Sequence, residues 1–233
     1  MNLESMTIVI TGAASGIGHA LCLGFLKDGA KVLAVDRHAE GLEPLAEKGS
    51  ITRQVDISNQ TQVEEMVQTA LDETGRLDVL INNAGVGFMT PITDHKPGQF
   101  EELIRVNLFG PYYGLKAAIP VMRTQGFGRI INLVSRAAEG GHKGMSAYGS
   151  SKAALFALTR HAAKETEDDN ILVNGLIPGP TKSGMMPRGQ DPEVVYPTAR
   201  MLAAFPDDGP SGKVFWNEKE YNLFDPDNGF YQR

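Results

Sequence analysis

A glycine-rich turn near the amino terminus constrains the fold more than any other feature of this sequence. It spans Thr11 to Gly18, follows the apolar run Thr7 to Ile10, and precedes apolar residues at helical spacing. Glycines at such a turn let the backbone approach a pyrophosphate, whose oxygens the N–H groups of the helix then face. The glycines are spaced by four and then two, unlike the common dinucleotide fingerprint. The turn predicts a dinucleotide site, with a plain glycine-rich turn as the alternative.

The rest of the chain repeats this alternation of short apolar runs and helical segments. Helical patterns begin at Ile17, Gln62, Phe100 and Ser146. The alternation predicts an α/β fold, namely a single doubly wound Rossmann-type domain over residues 1–233, with about seven parallel strands and helices on both faces. The predicted strands are Thr7 to Ile10, Lys31 to Val35, Ile51 to Val55, Val79 to Ile81, Arg129 to Val134, Ile171 to Leu176 and Lys213 to Trp216.

Composition limits the other possibilities. The chain of 233 residues has one cysteine and a formal charge of −6. A single cysteine excludes an internal disulfide, and we expect no metal site. The acidic balance argues against nucleic acid or an anionic membrane as the partner. No run approaches the roughly 20 apolar residues of a membrane span, and the first residues lack a basic leader, so we expect a cytoplasmic protein.

An acid follows the second predicted strand. Asp36 lies 18 residues after Gly18, where a carboxylate can accept hydrogen bonds from the ribose hydroxyls of NAD and repel the 2′-phosphate of NADP. Arg37 is adjacent, and its guanidinium could instead bind that phosphate. The sequence therefore favours NAD and leaves NADP open.

A tyrosine and a lysine share one face of the fourth predicted helix. Tyr148 and Lys152 stand at i and i+4. A free phenol has a pKa near 10, and a nearby cation favours its ionised form. Ser135 ends the strand Arg129 to Val134, where its hydroxyl could stabilise charge on a substrate oxygen. The segment Asn82 to Gly85 ends a central strand, at the edge where such sheets bind ligands, although it also reads as a simple turn.

Together these motifs resemble the short-chain dehydrogenase/reductase family over nearly the whole chain. Thr11 to Gly18 is similar to its T-G-x-x-x-G-x-G motif, Asn82 to Gly85 to its N-N-A-G, and Tyr148 to Lys152 to its Y-x-x-x-K. Asn107 matches the asparagine of its third helix. The segment Gly209 to Trp216 resembles the ending of its carbonyl-reductase-like members.

The resemblance implies a catalytic set and a cofactor site. Tyr148 would be the general acid or base, Lys152 would lower the pKa of the phenol and hold the nicotinamide ribose, and Ser135 would polarise the substrate. Asn107 would support a water that relays the proton. The implied cofactor contacts are Gly12, Ser15, Gly16, Ile17, Gly18, Asp36, Arg37, Asp56, Ile57, Asn83, Ala84, Gly85, Tyr148, Lys152, Pro178, Gly179, Thr181 and Ser183.

The expected activity is hydride transfer between the nicotinamide of NAD(P) and a small ketone, aldehyde or secondary alcohol. A non-catalytic dinucleotide sensor or scaffold is one alternative, and an epimerase or dehydratase with the same Tyr-Lys pair is another. The resemblance also implies a homodimer or homotetramer. Arg136 could pair with an anionic substrate or point into solvent. The short stretch between Pro178 and the next helix, near Asp191, implies a short substrate lid.

Overall fold

The computed structural model describes residues 1–182 and 186–225, and one sheet of eight strands organises them. The strand order is β3-β2-β1-β4-β5-β6-β7-β8, in which neighbours are hydrogen-bonded. The first seven strands run parallel, so the predicted number and direction of the strands are confirmed. The strands are β1 (Thr7–Thr11), β2 (Lys31–Asp36), β3 (Ile51–Gln54), β4 (Val79–Asn82), β5 (Gly128–Leu133), β6 (Ile171–Leu176), β7 (Val214–Trp216) and β8 (Lys219–Glu220).

Strand β8 is an addition that the sequence did not predict. It pairs antiparallel with β7 through a tight turn at Asn217 and Glu218, whose φ values are 49° and 62°. Two successive residues with positive φ are typical of the turns that join two-residue hairpins. The strand has only two residues, and its turn, Asn-Glu, lacks the glycine that is usual in such turns. No local sequence pattern therefore predicts this hairpin.

Helices cover both faces of the sheet, as predicted. One core cluster contains Ile8 and Ile10 with residues of α1, α2 and α7, and the other contains Val9 with residues of α3, α5 and α6. Alternate residues of β1 therefore point to opposite faces, and both faces are buried. The helices are α1 (Gly16–Lys27), α2 (Glu43–Ala46), α3 (Gln60–Thr74), α4 (Gln99–Ile104), α5 (Gly110–Gln125), α6 (Ser146–Glu165) and α7 (Tyr196–Ala203).

The helix predicted from Phe100 to Arg123 is interrupted. A π-helical turn, Arg105–Phe109, separates α4 from α5. Asn107 lies within this turn and is fully buried. Such turns are rare and are frequently found at functional sites.

The topology places a crevice at the carboxyl ends of β1 and β4. These strands are neighbours, yet the chain leaves β1 towards β2 on one side and β4 towards β5 on the other. In open α/β sheets ligands bind where the strand order reverses in this way. The predicted turn Thr11 to Gly18 and the segment Asn82 to Gly85 both begin at this edge.

Candidate active site

Hydrogen bonds join the glycine-rich turn to the loop after β4. The Thr11 hydroxyl accepts hydrogen bonds from the backbone N–H groups of Asn83 and Ala84, at 3.1 and 3.0 Å. The Asn83 amide donates back to the carbonyl oxygens of Thr11 and Gly12, at 2.8 and 3.1 Å. Both side chains thus hold the two loops together. The sequence interpretation named Asn83 and missed this role of Thr11.

Two glycines of the turn have no room for a side chain. Gly12 adopts φ +70°, and a Cβ there would lie 2.7 Å from the Ala84 Cα atom. A Cβ at Gly18 would lie 2.1 Å from the Gly12 carbonyl oxygen. Within the described residues, the Ser15 side chain makes no capping bond to the start of α1. The first N–H groups of α1 therefore stay available for an anionic group.

A cleft of about 430 Å³ lies over this turn. Its lining includes fourteen of the eighteen predicted cofactor residues, among them both members of the Tyr-Lys pair. The fourteen are Gly12, Ser15, Gly16, Ile17, Asp36, Arg37, Asp56, Ile57, Asn83, Ala84, Gly85, Tyr148, Lys152 and Pro178. Residues that the sequence interpretation did not name also line it: His38, Val55, Val86, Gly87, Val106, Leu133 and Val134. The glycines of the turn, the start of α1 and the acidic residue at the end of β2 are features that fit a dinucleotide.

Four predicted cofactor residues are not among the lining residues. Gly18 is buried within α1, where the tight contact with Gly12 requires it. Gly179, at φ +70°, faces the Trp216 indole, to which a Cβ would come within 3.1 Å. The Thr181 hydroxyl donates to the Pro178 carbonyl oxygen at 2.8 Å and is buried. Ser183 lies outside the described residues.

After Pro178 and Gly179, the described residues on the two sides of the gap at 183–185 are hydrogen-bonded to each other. The N–H of Lys182 donates to the Gln190 carbonyl oxygen at 2.9 Å, and the N–H of Gln190 donates to that of Pro180 at 2.8 Å. A 3₁₀ helix, Pro192–Val195, then leads into α7. The helix predicted near Asp191 is therefore present.

Asp36 joins the end of β2 to the glycine-rich turn. Its Oδ2 accepts from the Ala14 N–H at 3.1 Å, and its Oδ1 accepts from the His38 N–H at 3.0 Å. Each carboxylate oxygen has further lone pairs for a ribose hydroxyl. Arg37 is exposed and donates from Nε to the His38 ring at 3.0 Å. Asp56 is also exposed, and its Oδ1 accepts from the Ser58 N–H at 2.9 Å.

The Tyr-Lys pair lines the cleft. Helix α6 places the Lys152 Nζ 5.6 Å from the centre of the Tyr148 ring. The ammonium donates to the Leu133 carbonyl oxygen at 2.7 Å and is almost fully buried. Burial disfavours its charged form and lowers the pKa of Lys152 to about 8.

Burial also dominates the titration of the phenol. It raises the pKa of Tyr148, and a hydrogen bond with the Ser135 hydroxyl acts in the opposite direction without reversing the shift. The sequence interpretation expected the neighbouring lysine to lower this pKa. The net shift is upward because removing the phenolate from water outweighs the hydrogen bond from Ser135, and the lowering effect of Lys152 stays a prediction.

Asn107 makes buried hydrogen bonds to two segments of the site. Its Oδ1 accepts from the Val86 N–H and its Nδ2 donates to the Val86 carbonyl oxygen, both at 2.8 Å. The same Nδ2 donates to the Ser151 hydroxyl at 3.1 Å, and that hydroxyl donates to the Tyr148 carbonyl oxygen at 2.7 Å. Asn107 thus links the loop after β4 to the first turn of α6. Ser151, inside the Y-x-x-x-K motif, is a residue that the sequence interpretation missed.

A buried polar chain ties α6 to the centre of the sheet. The Asn82 amide donates to Asn132 at 2.8 Å, and the Asn132 amide donates to the Thr159 hydroxyl at 2.9 Å. All three residues are buried. Buried polar groups need partners, so this chain fixes the register of α6 against β4 and β5. The pattern could not be found from the sequence because its members are far apart in the chain.

Arg136 pairs with a carboxylate of its own chain. Its Nε lies 3.8 Å from Glu139 Oε2, and its guanidinium stacks 5.2 Å from the Trp216 ring centre. Arg136 is not among the residues that line the cleft. Arg136 is therefore paired with Glu139. The sequence had suggested an anionic substrate or solvent as its surroundings.

Comparison with known proteins identifies the family. The chain matches the sequence profile described as short chain dehydrogenase over residues 6–193. The chain belongs to the short-chain dehydrogenase family. A protein of Bacillus subtilis (strain 168) named an uncharacterized oxidoreductase is 37% identical over 183 residues, 76% of this chain and 71% of that protein. A 3-oxoacyl-[acyl-carrier-protein] reductase of Thermotoga maritima is 36% identical over 185 residues, 77% of this chain and 75% of that protein.

A solved structure agrees with this assignment. The 3-ketoacyl-(acyl-carrier-protein) reductase from Brucella melitensis complexed with NADH superposes with a TM-score of 0.86 at 28% identity, over 92% of this chain and 97% of that one. The chain is thus an oxidoreductase of the short-chain dehydrogenase/reductase family, as its motifs predict. Every helix in the described residues is too short or too polar to span a membrane. Those residues also contain no group of three or more His, Cys, Asp or Glu side chains placed to bind a metal.

Proposed function

We propose that this protein transfers a hydride between a nicotinamide dinucleotide and a ketone, aldehyde or secondary alcohol, with Tyr148 as the general acid or base. The observation that carries the proposal is the meeting of the Tyr148 phenol, the Ser135 hydroxyl and the Lys152 ammonium beside a cleft with a glycine floor. The name of the Thermotoga relative, a 3-oxoacyl reductase, and the NADH in the Brucella structure support it.

The side chains supply the proton chemistry. A bound nicotinamide dinucleotide supplies or accepts the hydride. A phenol has an ordinary pKa near 10, and burial raises that of Tyr148 further, so the phenol keeps its proton at neutral pH and can donate it to the oxygen of a carbonyl substrate. The Ser135 hydroxyl donates a hydrogen bond to the same oxygen as negative charge develops. In alcohol oxidation the phenol must first lose its proton, a step that the Lys152 ammonium favours.

Lys152 and Asn107 have supporting roles. An ammonium has three donors, and one of those on Lys152 is bound to Leu133, which leaves donors for the hydroxyls of the nicotinamide ribose. Asn107 holds the backbone of Val86 and the first turn of α6. The water relay that the family resemblance implies for Asn107 stays a prediction, for which its Oδ1 offers a second lone pair.

NAD is the proposed cofactor, with NADP as the alternative. The Asp36 carboxylate lines the cleft at the end of β2, where it would accept from ribose hydroxyls and repel a 2′-phosphate. Arg37 lines the same part of the cleft but extends to solvent, with Nε directed to His38. The proposal for NAD rests on the position of Asp36, which its two backbone hydrogen bonds fix.

A homodimer or homotetramer is the proposed assembly. Aromatic side chains on α4 and α5 and the turn between them are unusually exposed: Phe100 at 41%, Phe109 at 44% and Tyr112 at 45%. Exposed apolar patches of this kind mark association surfaces. Sedimentation equilibrium tests the assembly, and replacement of Phe109 and Tyr112 by serine should shift it towards the monomer.

A panel of carbonyl and alcohol substrates, run with both cofactors, tests the function. Ketones and aldehydes are offered with NADH and with NADPH, and secondary alcohols with NAD and with NADP, while absorbance follows the nicotinamide. We expect turnover of at least one carbonyl class, faster with NADH. Tight binding of NADH with no oxidation by any carbonyl would contradict the proposal and favour the sensor or scaffold alternative.

A further inference from the structure

The carboxyl-terminal hairpin packs against the turn that carries Ser135. Ser135 caps a single turn of 3₁₀ helix, Arg136–Glu139, and its hydroxyl accepts from the Ala137 N–H at 3.1 Å. The last residue of this turn, Glu139, has a fully buried side chain. Burying a carboxylate costs free energy unless it is paired and hydrogen-bonded. The partners of Glu139 therefore determine where this turn is held.

Besides Arg136 of the same turn, the hydrogen-bond partners of Glu139 come from the carboxyl-terminal segment. The Tyr221 hydroxyl donates to Glu139 Oε2 at 3.0 Å and is 3.3 Å from Oε1. The N–H of Phe224 donates to Oε1 at 3.2 Å. Tyr221 is itself held by a 2.8 Å hydrogen bond from its N–H to the Val214 carbonyl oxygen. One carboxylate therefore joins the turn after Ser135 to the hairpin and the residues that follow it.

Aromatic contacts make a second connection in the same place. The Trp216 and Tyr221 rings pack edge to face at 5.8 Å, and the Arg136 guanidinium stacks on both, at 5.2 and 5.7 Å. The Trp216 indole also borders Gly179, in the turn predicted to meet the nicotinamide. The hairpin thus contacts the segments on both sides of the expected reaction centre.

Helix α6 confines the turn from the other side. A Cβ at Gly149 would lie 2.6 Å from the Ala137 carbonyl oxygen, so the turn lies directly against the residue that follows Tyr148. Any movement of the turn away from α6 is opposed by the bonds of Glu139. Directional bonds at one end and close packing along the side therefore restrain the turn that begins at Ser135.

We propose that Glu139 is a positioning residue: held by Tyr221, it fixes the turn that begins at Ser135 and makes the carboxyl-terminal hairpin a working part of the active site. The proposal rests on the proposed function, because Ser135 must be aligned with a substrate oxygen for the alignment to matter. An apolar side chain at position 139 could fill the same space but could not fix the direction of the turn. Rate falls steeply with misalignment of about 1 Å, by on the order of 100-fold.

Three variants test this, each read out in two ways. Tyr221→Phe removes one hydroxyl from a partly exposed ring, Glu139→Gln keeps an oxygen that can accept, and Glu139→Ala removes all acceptors. The first readout is kcat and KM for the best substrate of the panel, with the Kd for NADH. The second is hydrogen exchange, by mass spectrometry, of peptides over residues 135–140, whose amides at 137, 138 and 140 are hydrogen-bonded within the turn. The exchange readout needs no substrate.

Matched controls are available in the same chain. Glu220→Gln removes an exposed ion pair with Lys213 in the same hairpin, and Lys164→Met removes an exposed charge on α6. Both should leave kcat and exchange unchanged. We expect Tyr221→Phe and Glu139→Ala to speed exchange at residues 135–140 and to lower kcat about 10-fold or more, with the Kd for NADH unchanged. For Glu139→Gln, both kcat and the rate of exchange over residues 135–140 should lie between those of the wild type and Glu139→Ala.

Two results would overturn the proposal. One is an unchanged rate of hydrogen exchange over residues 135–140 in Tyr221→Phe. This measurement tests the proposal even if Glu139→Ala does not fold. The other is faster exchange with kcat unchanged, which would reduce the contact to ordinary packing. A wild-type protein that turns over no carbonyl would defeat the proposed function separately, and the exchange readout would then decide alone whether Tyr221 holds the turn.

Discussion

The ammonium of Lys152 donates a 2.7 Å hydrogen bond to the carbonyl oxygen of Leu133, the last residue of β5. The bond is buried, and it holds the lysine at the carboxyl edge of the sheet beside Tyr148. Removing this charge from water destabilises the folded protein. The same desolvation lowers the pKa of Lys152 to about 8. The site therefore keeps a destabilising group for the sake of its chemistry, as functional sites often do.

Lys152→Met should stabilise the protein at neutral pH. The unfolded lysine has a pKa of 10.5 and the folded one a pKa of about 8, so below pH 8 the buried charge costs roughly 3 kcal/mol. Loss of the hydrogen bond to Leu133 offsets part of this, which leaves a gain of about 1–2 kcal/mol in the free energy of unfolding. Urea unfolding at about pH 7 measures it.

The pH dependence of that gain has a definite sign. Between pH 8 and 10.5 the unfolded state binds more protons than the folded state, so the cost of the buried charge declines as pH rises. The gain from Lys152→Met should therefore be much smaller at about pH 9.5. Lys164→Met, at an exposed position of the same helix, is the control and should show no such trend. A variant less stable than wild type at both pH values would refute the account.

Gly12→Ala should weaken both folding and NADH binding. Its Cβ would meet the Ala84 backbone at 2.7 Å in a left-handed conformation, which predicts a loss of about 2–4 kcal/mol in the free energy of unfolding. Gly75→Ala is the matched control, since its φ is +81° and a Cβ there meets nothing within 4 Å. It should cost only about 1 kcal/mol and leave NADH binding intact. Equal effects of the two substitutions would show that strain, and not the close approach to Ala84, governs the turn.

Most of the strands and helices, and most of the residues that line the cleft, could be predicted from the sequence. Strands buried on both faces and glycines at a strand-to-helix turn are local patterns, so they are visible without a structure. The π-helical turn at Asn107 and the bond between Glu139 and Tyr221 depend on residues far apart in the chain. The raised pKa of Tyr148 was missed because spacing reveals a neighbouring charge but not the depth of burial, which decides the sign here.

Asp36→Asn should shift the cofactor preference towards NADP. The amide keeps one acceptor oxygen, for the Ala14 N–H, and loses the bond from the His38 N–H, but it removes the negative charge that repels a 2′-phosphate. We expect the ratio of kcat/KM for NADPH to that for NADH to rise about 10-fold. Arg37→Ala, made in the same background, should reverse the gain for NADPH with little effect on NADH. A wild-type protein that already prefers NADPH would contradict the assignment of Asp36.

Tyr148→Phe tests the central claim most directly. The ring and its packing remain, while the hydroxyl that would exchange a proton with the substrate is removed. We measure kcat for the best carbonyl substrate and the Kd for NADH in the wild type, in Tyr148→Phe, and in the exposed control Lys164→Met on the same helix. The account predicts that kcat falls about 1,000-fold in Tyr148→Phe while the Kd for NADH changes by less than about 2-fold. Turnover close to the wild-type rate in Tyr148→Phe would contradict it.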